Sequence, residues 1–337
     1  MKRLLGWFFI LMIVALAGFG GWLYLGLGRS YKGYTAAEQF VEIPQGAGTS
    51  SIGKRLAEAG VIRDTLSFRL ELARTGAGRR LQAGEYRFDR PMTVPEVVAK
   101  IARGDVYLRP ITFREGLTVR QMSALYESKG FGPAAEFLAA ASDAALIQDI
   151  DPGARTLEGY LFPDTYALPR NTTAAQLIPR MVDGFEKTLT PELRAQAAAR
   201  GLSVRELVTL ASIVEKETGN PDERPLVSAV CWNRMKIGMR LQVDPTVIYA
   251  LERAGRYDGN ITRDDLQIDS PYNTYRYAGL PPGPIAAPGR ASLEAAANPA
   301  NVPYLYFVSR NDGSHAFAAT LDEHNRNVVE FQKNRGQ

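Results

Sequence analysis

The stretch LASIVEKET, residues 210–218, places two acidic side chains, Glu215 and Glu217, on an otherwise apolar segment. The preceding Ser203-Val-Arg-Glu206 matches a capping box, so the sequence predicts a helix that starts there and continues to the two acids. A carboxylate beside an apolar face is costly unless it is paired or used, and partial burial raises its pKa towards neutrality. The stretch therefore indicates either a proton-donating group or two solvated acids at a helix end.

The composition is that of a globular protein with about two domains. Of 337 residues, 45% are hydrophobic and 23% are charged, which excludes a disordered chain. The net charge is +4 without a dense block of Lys and Arg, so we expect no nucleic-acid partner. The single cysteine, Cys231, excludes an internal disulfide and a cysteine-based metal cluster. We therefore expect no metal and no cofactor, and we interpret His315 and His324 as packed residues.

The first 28 residues predict a membrane anchor. No charged residue occurs in residues 4–28, and about 20 apolar residues are enough to span a bilayer. Lys2 and Arg3 precede the apolar run, which orients the N-terminus towards the cytoplasm. A cleaved signal peptide is the alternative, because Ala-Leu-Ala at residues 15–17 resembles a cleavage site. The apolar character continues to residue 27, which favours a retained anchor.

The rest of the chain predicts an α+β fold. Residues 29–39 are predicted to be a polar linker, residues 40–125 a small α+β region and residues 126–337 a larger α+β domain. In the small region, a strand at residues 40–43 precedes a helix capped by Thr49, with Ile52 and Leu56 facing inward. A similar order of strand, turn and capped helix recurs from residue 111. This recurrence is explained either by common ancestry of the two segments or by the general frequency of strand–turn–helix units in proteins. The chain is predicted to end with a buried strand at residues 303–308, a hairpin partner at 315–317 and an amphipathic helix at 321–332.

The motif LEGYLFPDTY, residues 157–166, combines acids and aromatic rings with Gly159 and Pro163. Rings with interspersed acids are typical of surfaces that bind sugars. They are also typical of an aromatic corner of a core with one capping acid. On the first interpretation, Glu158 and Tyr160 are candidate substrate-binding residues.

The remaining candidates lie in residues 233–289. The segment MRLQVDPTVIYAL, residues 239–251, makes Asp244 the expected N-cap of a helix that begins at Pro245. The segment SPYNTYRYAGLPPGPIAAPG, residues 270–289, contains too many prolines for a helix or a central strand. A long ordered loop of this kind usually forms a site. The candidate substrate-binding residues in this part of the chain are Asn233, Gln242, Asp244, Tyr272, Asn273 and Tyr275.

Five blocks of sequence together resemble the MltG (YceG-like) family of endolytic murein transglycosylases. The blocks, in chain order, are LEGYLFPDTY, ASIVEKET, NRMKIGMRLQVDPTVIY, SPYNTYRYAGLPPGPIAAPG and PYLYFV. The resemblance implies an anchor, a LysM-like unit and a YceG-like catalytic domain. It also implies that Glu215, the first acid of the Glu-Lys-Glu triplet, is catalytic, and that Glu217 contacts substrate. Helix geometry alone separates the two acids only slightly, because they flank the apolar stripe on opposite sides.

The reaction implied by this resemblance is lytic cleavage of peptidoglycan. One carboxyl group would protonate the bond between MurNAc and GlcNAc and then take the proton of the attacking 6-hydroxyl, leaving a 1,6-anhydro end. The substrate would be nascent glycan strands, whose elongation the cut would end, and peptidoglycan synthases are expected partners. The resemblance places the protein in the inner (cytoplasmic) membrane, with a periplasmic or otherwise extracytoplasmic catalytic domain.

Two alternatives remain open at this point. A hydrolase of the same polymer would need a second carboxylate, for which Glu217, Glu158 and Asp244 are candidates. A membrane-anchored glycan-binding scaffold would need no proton donor. The products separate the first alternative from transglycosylation, because a hydrolase leaves reducing ends.

Overall fold

The computed structural model describes Met12, Val14, Gly18, Gly21 and residues 27–333. The chain divides into two compact units, of which the first ends at Pro110 and also takes in Ala167–Asn171. Most of the predicted anchor at residues 4–28 lies outside the described residues. Among the residues that are described, none belongs to a helix with the length and apolar character needed to cross a bilayer.

The first unit is a small α+β body built on a two-stranded antiparallel sheet, in which Val41 lies opposite Tyr86. Its elements are β1 (Gln39–Ile43), α1 (Thr49–Glu58), α2 (Thr65–Thr75), β2 (Gly84–Phe88) and α3 (Val94–Arg103). Ile52 and Leu56 of α1 face the core together with Tyr86, as predicted. Apolar side chains from both strands and all three helices therefore share one core.

Two details of this unit differ from expectation. Thr49 is the first residue of α1 and not its cap, because the preceding Gly48 holds the cap position without a side-chain hydrogen bond. Part of the predicted linker at residues 29–39 is fixed to the unit. Tyr31 and Met92 exchange backbone hydrogen bonds of 2.9 and 3.2 Å, and the Tyr34 hydroxyl donates to the Phe88 carbonyl at 2.9 Å. A single pair of bridged residues produces no periodic sequence pattern, so this contact could not be predicted from the sequence.

The second unit comprises Ile111–Tyr166 and the chain from Thr172 onward. Two short strands, β3 (Arg109–Thr112) and β4 (Thr165–Leu168), pair with each other, and the division between the units falls within both. The helices that follow β3 are α4 (Val119–Ser128), α5 (Ala134–Ser142), α6 (Ala174–Thr188), α7 (Pro191–Ala199), α8 (Val204–Glu217), α9 (Arg224–Lys236), α10 (Asp244–Arg253), α11 (Arg290–Ala297) and α12 (Leu321–Val328). Strands β5 (Tyr306–Ser309) and β6 (His315–Ala318) form the predicted hairpin between α11 and α12.

Helix α8 is the centre of the second unit. It packs against α7, α9, α10 and α11, and its residues from Leu207 to Val214 are all buried. The helix that carries the two acids is therefore surrounded by the elements that supply the other candidate site residues. Helix α4 also belongs to this unit because it packs against α5, so the structural division precedes the predicted boundary after residue 125.

Three expectations about the second unit need correction. The C-terminal strand begins at Tyr306, and its residues are half-buried, whereas a buried strand from residue 303 was expected. The closing helix ends at Val328 and continues as one π-helical segment, Val329–Lys333. Val243 holds the cap position of α10, which makes Asp244 the first helical residue. The Asp244 carboxylate accepts a hydrogen bond from the Tyr275 hydroxyl at 2.6 Å and does not cap its own helix.

Candidate active site

The start of α8 is fixed by the predicted capping box. The Ser203 hydroxyl accepts from the Glu206 N–H at 3.3 Å, and the Glu206 carboxylate accepts from the Ser203 N–H at 2.8 Å. The helix ends at Glu217, so both acids of the triplet lie in its last turn. Carboxylates are disfavoured at a helix C-terminus, where the unpaired carbonyl groups carry partial negative charge. Each acid therefore needs a specific environment, and the two environments differ.

Glu215 is a paired carboxylate. Its side chain is only 6% exposed, and its Oε1 lies 3.3 Å from the guanidinium of Arg224. Its Oε2 accepts a hydrogen bond of 3.0 Å from the Gly289 N–H. Arg224 also reaches the Glu115 carboxylate at 3.5 Å. Burial and the nearby charge of Glu215 raise the pKa of Glu115, while Arg224 opposes them. Glu215 and Glu115 thus share one buried cation.

The proline-rich loop lies along the same face of α8 that carries Glu215. The Ile285 N–H donates to the Ser212 hydroxyl at 3.0 Å, one helical turn before Glu215. Pro284 packs over Gly159, where an added Cβ would lie 2.4 Å from the proline Cβ. Further along, the Ala287 N–H donates to the Leu117 carbonyl at 2.9 Å. The loop is therefore ordered by α8 and its neighbours, and Glu215 fastens its end.

Glu217 lies on the opposite side of α8, because two residues rotate the side chain by about 200° around a helix. Its side chain is half-buried, and no hydrogen bond to its carboxyl group occurs within residues 27–333. Burial and the nearby charge of Asp244 raise the pKa of Glu217 to about 8, and the charge of Arg234 opposes them. A carboxyl group in this environment keeps its proton at neutral pH while part of its surface stays accessible.

A compact polar group faces Glu217. The Tyr275 hydroxyl donates to Asp244, and burial together with that carboxylate raises the pKa of Tyr275. Gln242 has a φ of +50°, a conformation that residues other than glycine rarely adopt. Its N–H donates to the Thr274 carbonyl at 3.2 Å. The first half of the proline-rich segment therefore holds residues 242–244 in place, with Asp244 close enough to Glu217 to raise its pKa.

Arg234 stabilises the backbone next to Gln242 from the interior of the protein. Its guanidinium is largely buried, donates to the carbonyl groups of Leu241 and Leu305, and lies 5.4 Å from the Tyr306 ring centroid. Sequence reasoning missed Arg224 and Arg234 as site residues. Both lie on α9, and nothing in their spacing shows that one faces Glu215 while the other faces Glu217. Only the packing of α9 on α8 assigns them.

Three of the predicted substrate-binding residues have their side chains engaged inside the protein. The Asn233 amide donates to the Val302 and Tyr304 carbonyls at 2.8 and 2.9 Å. Asn273 is fully buried, and its side chain bonds only to the backbone of its own loop region. The Tyr160 hydroxyl donates to the buried Asp151 carboxylate. The side chains of Asn233, Asn273 and Tyr160 therefore hold neighbouring groups of the protein in place, and their contact with substrate stays a prediction.

The other predicted residues, Glu158 and Tyr272, border a separate cleft of about 400 Å³. The Glu158 carboxylate accepts hydrogen bonds from the Val119 N–H at 3.0 Å and the Tyr249 hydroxyl at 3.2 Å. Burial nevertheless raises the pKa of Glu158 to about 7. The Tyr272 ring lies 4.9 Å from the Tyr249 ring, and the Arg253 guanidinium lies 5.2 Å from Tyr272. The candidates thus form two groups, one at each end of α10.

A family model described as the YceG-like family matches residues 41–330, most of the described chain. The chain belongs to this family. The crystal structure of a yceG-like protein from Listeria monocytogenes is similar, with a TM-score of 0.58 and 32% identity. The similarity covers 86% of this chain and 98% of that one. The predicted family is therefore confirmed.

Two curated relatives are each named endolytic murein transglycosylase. The Bacillus subtilis (strain 168) protein is 33% identical over 301 residues, which cover 85% of this chain and 82% of that protein. The protein of Streptococcus pneumoniae serotype 2 (strain D39) is 32% identical over 320 residues. That match covers 86% of this chain but only 58% of the pneumococcal protein. Both names agree with the predicted enzyme class, lytic transglycosylase.

Proposed function

We propose that this chain cleaves murein glycan strands internally as a lytic transglycosylase, with Glu217 as the acid and then the base. The observation that carries the proposal is the environment of Glu217, a half-buried carboxyl group whose pKa is raised to about 8. A general acid works best when its pKa lies near the working pH. The names of the relatives supply the polymer and the type of cut.

The proposed reaction needs one carboxyl group. Protonated Glu217 gives its proton to the oxygen between MurNAc and GlcNAc, and the bond from that oxygen to the anomeric carbon breaks. The 4-hydroxyl of GlcNAc leaves, and positive charge develops at the anomeric carbon. The 6-hydroxyl of the same MurNAc then forms a bond to that carbon, and the Glu217 carboxylate takes its proton. The negative charge of Asp244 stabilises the positive charge between these steps.

The resemblance to the family predicts Glu215 as the proton donor, and this proposal assigns that role to Glu217 instead. Both carboxylate oxygens of Glu215 are engaged within the protein, Oε1 by the Arg224 guanidinium at 3.3 Å and Oε2 by the Gly289 N–H at 3.0 Å. A carboxyl group with both oxygens engaged in this way is poorly placed to reach a glycosidic oxygen, whereas Glu217 has no hydrogen bond among residues 27–333. In this proposal Glu215 positions the loop, while Gln242, Asp244 and Tyr275 line the substrate site beside Glu217.

Paired variants test the assignment. The full-length protein in detergent is incubated with uncross-linked glycan strands, and the products are identified by mass spectrometry. We expect Glu217→Gln to lower the rate of anhydro-end formation by about 100-fold or more, the usual loss on removal of a general acid. Glu215→Gln should keep a measurable rate. An active Glu217→Gln together with an inactive Glu215→Gln would return the role to Glu215.

A hydrolase of the same strands is the second candidate, and Asp244 is the observation that favours it. This carboxylate is close enough to raise the pKa of Glu217 and could activate water. Reducing ends in place of anhydro ends would establish hydrolysis. A scaffold without chemistry has less support, because glycan binding alone does not require an acid with a raised pKa.

The proposal includes location and partners. Residues 4–28 would anchor the chain in the inner membrane, with the N-terminus in the cytoplasm and the catalytic unit outside. The first unit would be LysM-like and contact glycan, and synthases of nascent strands would be neighbours. Protease treatment of spheroplasts tests the orientation, since digestion of the catalytic unit from outside is expected. Protection of that unit until the membrane is permeabilised would refute it.

A further inference from the structure

The cleft beside Glu158 contains two guanidinium groups that form no ion pair with a carboxylate of residues 27–333. Arg155 is exposed at its rim, and Arg253 lies over the rings of Tyr249 and Tyr272 at 5.8 and 5.2 Å. Within residues 27–333 neither arginine forms an ion pair. By contrast, a third arginine of the cleft, Arg205, binds Asp151 with two hydrogen bonds of 2.6 and 3.0 Å.

The two acids of the cleft offset its three arginine charges only in part, and Glu158 is the acid that interacts with Arg253. Asp151 is compensated by Arg205, whose hydrogen bonds and charge lower the pKa of Asp151 despite its burial. Glu158 is bound by Val119 and Tyr249, and burial leaves it partly protonated near pH 7. The cleft therefore carries net positive charge at neutral pH. Such a site favours an anion, and guanidinium groups bind carboxylates with matching geometry.

The positive charge of the cleft favours a peptide carboxylate over an uncharged sugar, although its walls are more polar than apolar. They include Pro271, Pro282, Gly283 and Pro284, which offer apolar surface and few N–H donors. The Arg253 guanidinium lies over the Tyr272 ring at 5.2 Å, so a sugar cannot stack on that face of the ring. The cleft also lies near the proposed site of cleavage. Helix α10 begins at Asp244 beside Glu217 and ends at Arg253, a rise of about 14 Å.

We infer that this cleft binds a free carboxylate of the peptides carried by the muramic acid residues of the strand, with Arg253 and Arg155 as its ligands. The inference rests on the proposed function, because it takes the strand as the substrate. A peptide bound at one end of α10 would set which glycosidic bond lies at Glu217. The cleft would thereby select strands that still bear their peptides.

Binding measurements test this inference separately from cleavage. Full-length Glu217→Gln protein in detergent is titrated with three probes of equal length: strands with intact peptides, strands whose peptide carboxylates have been amidated, and peptide-free strands, which keep the muramyl carboxylate. The added substitutions are Arg253→Gln and Arg155→Gln. Arg180→Gln is the matched control, since Arg180 is exposed on α6 and borders neither this cleft nor its neighbour.

We expect Arg253→Gln to weaken binding of intact strands about tenfold, the size of one hydrogen bond between charged groups. Amidated and peptide-free strands should bind the Arg253→Gln protein and its parent equally. Equal weakening on all three probes, or no weakening on intact strands, would overturn the inference. Should Arg253→Gln fail to fold, the exposed Arg155→Gln decides by the same comparison.

The two proposals can fail independently. Strands that bind with the expected dependence on Arg253 but are never cut by the wild-type protein would refute the transglycosylase and leave the peptide site intact. If the strands are cut to anhydro ends but Arg253→Gln does not weaken the binding of intact strands, the peptide site alone is refuted.

Discussion

The backbone N–H of Gly289 donates to Glu215 at 3.0 Å, so the end of the proline-rich loop is tied to the last turn of α8. On the opposite face of the same turn, Glu217 has a raised pKa and no hydrogen bond among residues 27–333. The last turn of α8 therefore carries a carboxylate that holds the loop on one face and a carboxyl group without a hydrogen bond on the other.

The fastening role of Glu215 predicts a loss of stability on substitution. Glu215→Gln leaves Arg224 buried with its charge poorly compensated, so the free energy of unfolding should fall by about 2 kcal/mol. Glu294→Gln is the control, because its pair with Arg290 is exposed and 4.0 Å long. Thermal melting compares the two variants with the wild type. Equal melting temperatures for Glu215→Gln and Glu294→Gln would contradict the role.

The raised pKa of Glu217 predicts how both activity and stability depend on pH. The first step uses the protonated form, so kcat/KM should fall as the pH rises through about 8. Because the folded pKa lies above the unfolded value, ionisation of Glu217 destabilises the fold between about pH 4.5 and 8. Glu217→Gln should therefore gain stability relative to wild type over that range, as melting curves at several pH values would reveal. A constant difference would speak against a buried proton.

Asp244 raises the pKa of Glu217, so Asp244→Asn should lower it. The alkaline limb of the pH–rate profile would then move to lower pH, while anhydro ends remain the product. A hydrolase that uses Asp244 to activate water would instead lose its activity at every pH. The pH profile and the product spectrum, measured together on this variant, distinguish the two mechanisms.

The space at Gly159 predicts how closely Pro284 of the loop approaches this residue. An alanine there would have φ of +84° and a Cβ 2.4 Å from that of Pro284. Gly201 has a similar φ of +80° with nothing within 4 Å, so Gly201→Ala isolates the backbone cost of about 1 kcal/mol. Gly159→Ala should lose roughly 1 to 3 kcal/mol more, from steric overlap. Denaturant titration measures both, and equal losses would refute the close approach.

Much of the local structure could be predicted from the sequence. The capping box at Ser203 begins a helix where expected, because it requires only two residues that are three positions apart. The family was identified from five short blocks and is confirmed. Asp244 was misjudged because its partner, Tyr275, is distant in sequence, and a local rule assigned it to a cap.

The sequence predicted which residues belong to the candidate site, but not which of them lie together or what each one contacts. Glu158 and Tyr272 were predicted to bind substrate, and the structure places both of them at one cleft. Asn273 looked like a groove residue and is buried in its loop. The burial and the hydrogen bonds of a side chain depend on residues that are distant in the sequence. A single sequence does not show which distant residues these are.

The sequence by itself determined that two acids end one apolar helix and that a proline-rich loop accompanies them, because capping and backbone restriction act over a few neighbouring residues. Only the tertiary structure decided which acid is compensated. Arg224 and Gly289 reach one side of α8, while Asp244 and Arg234 face the other. Electrostatic environment is set by distance in space, and folding brings together charges that lie far apart along the chain.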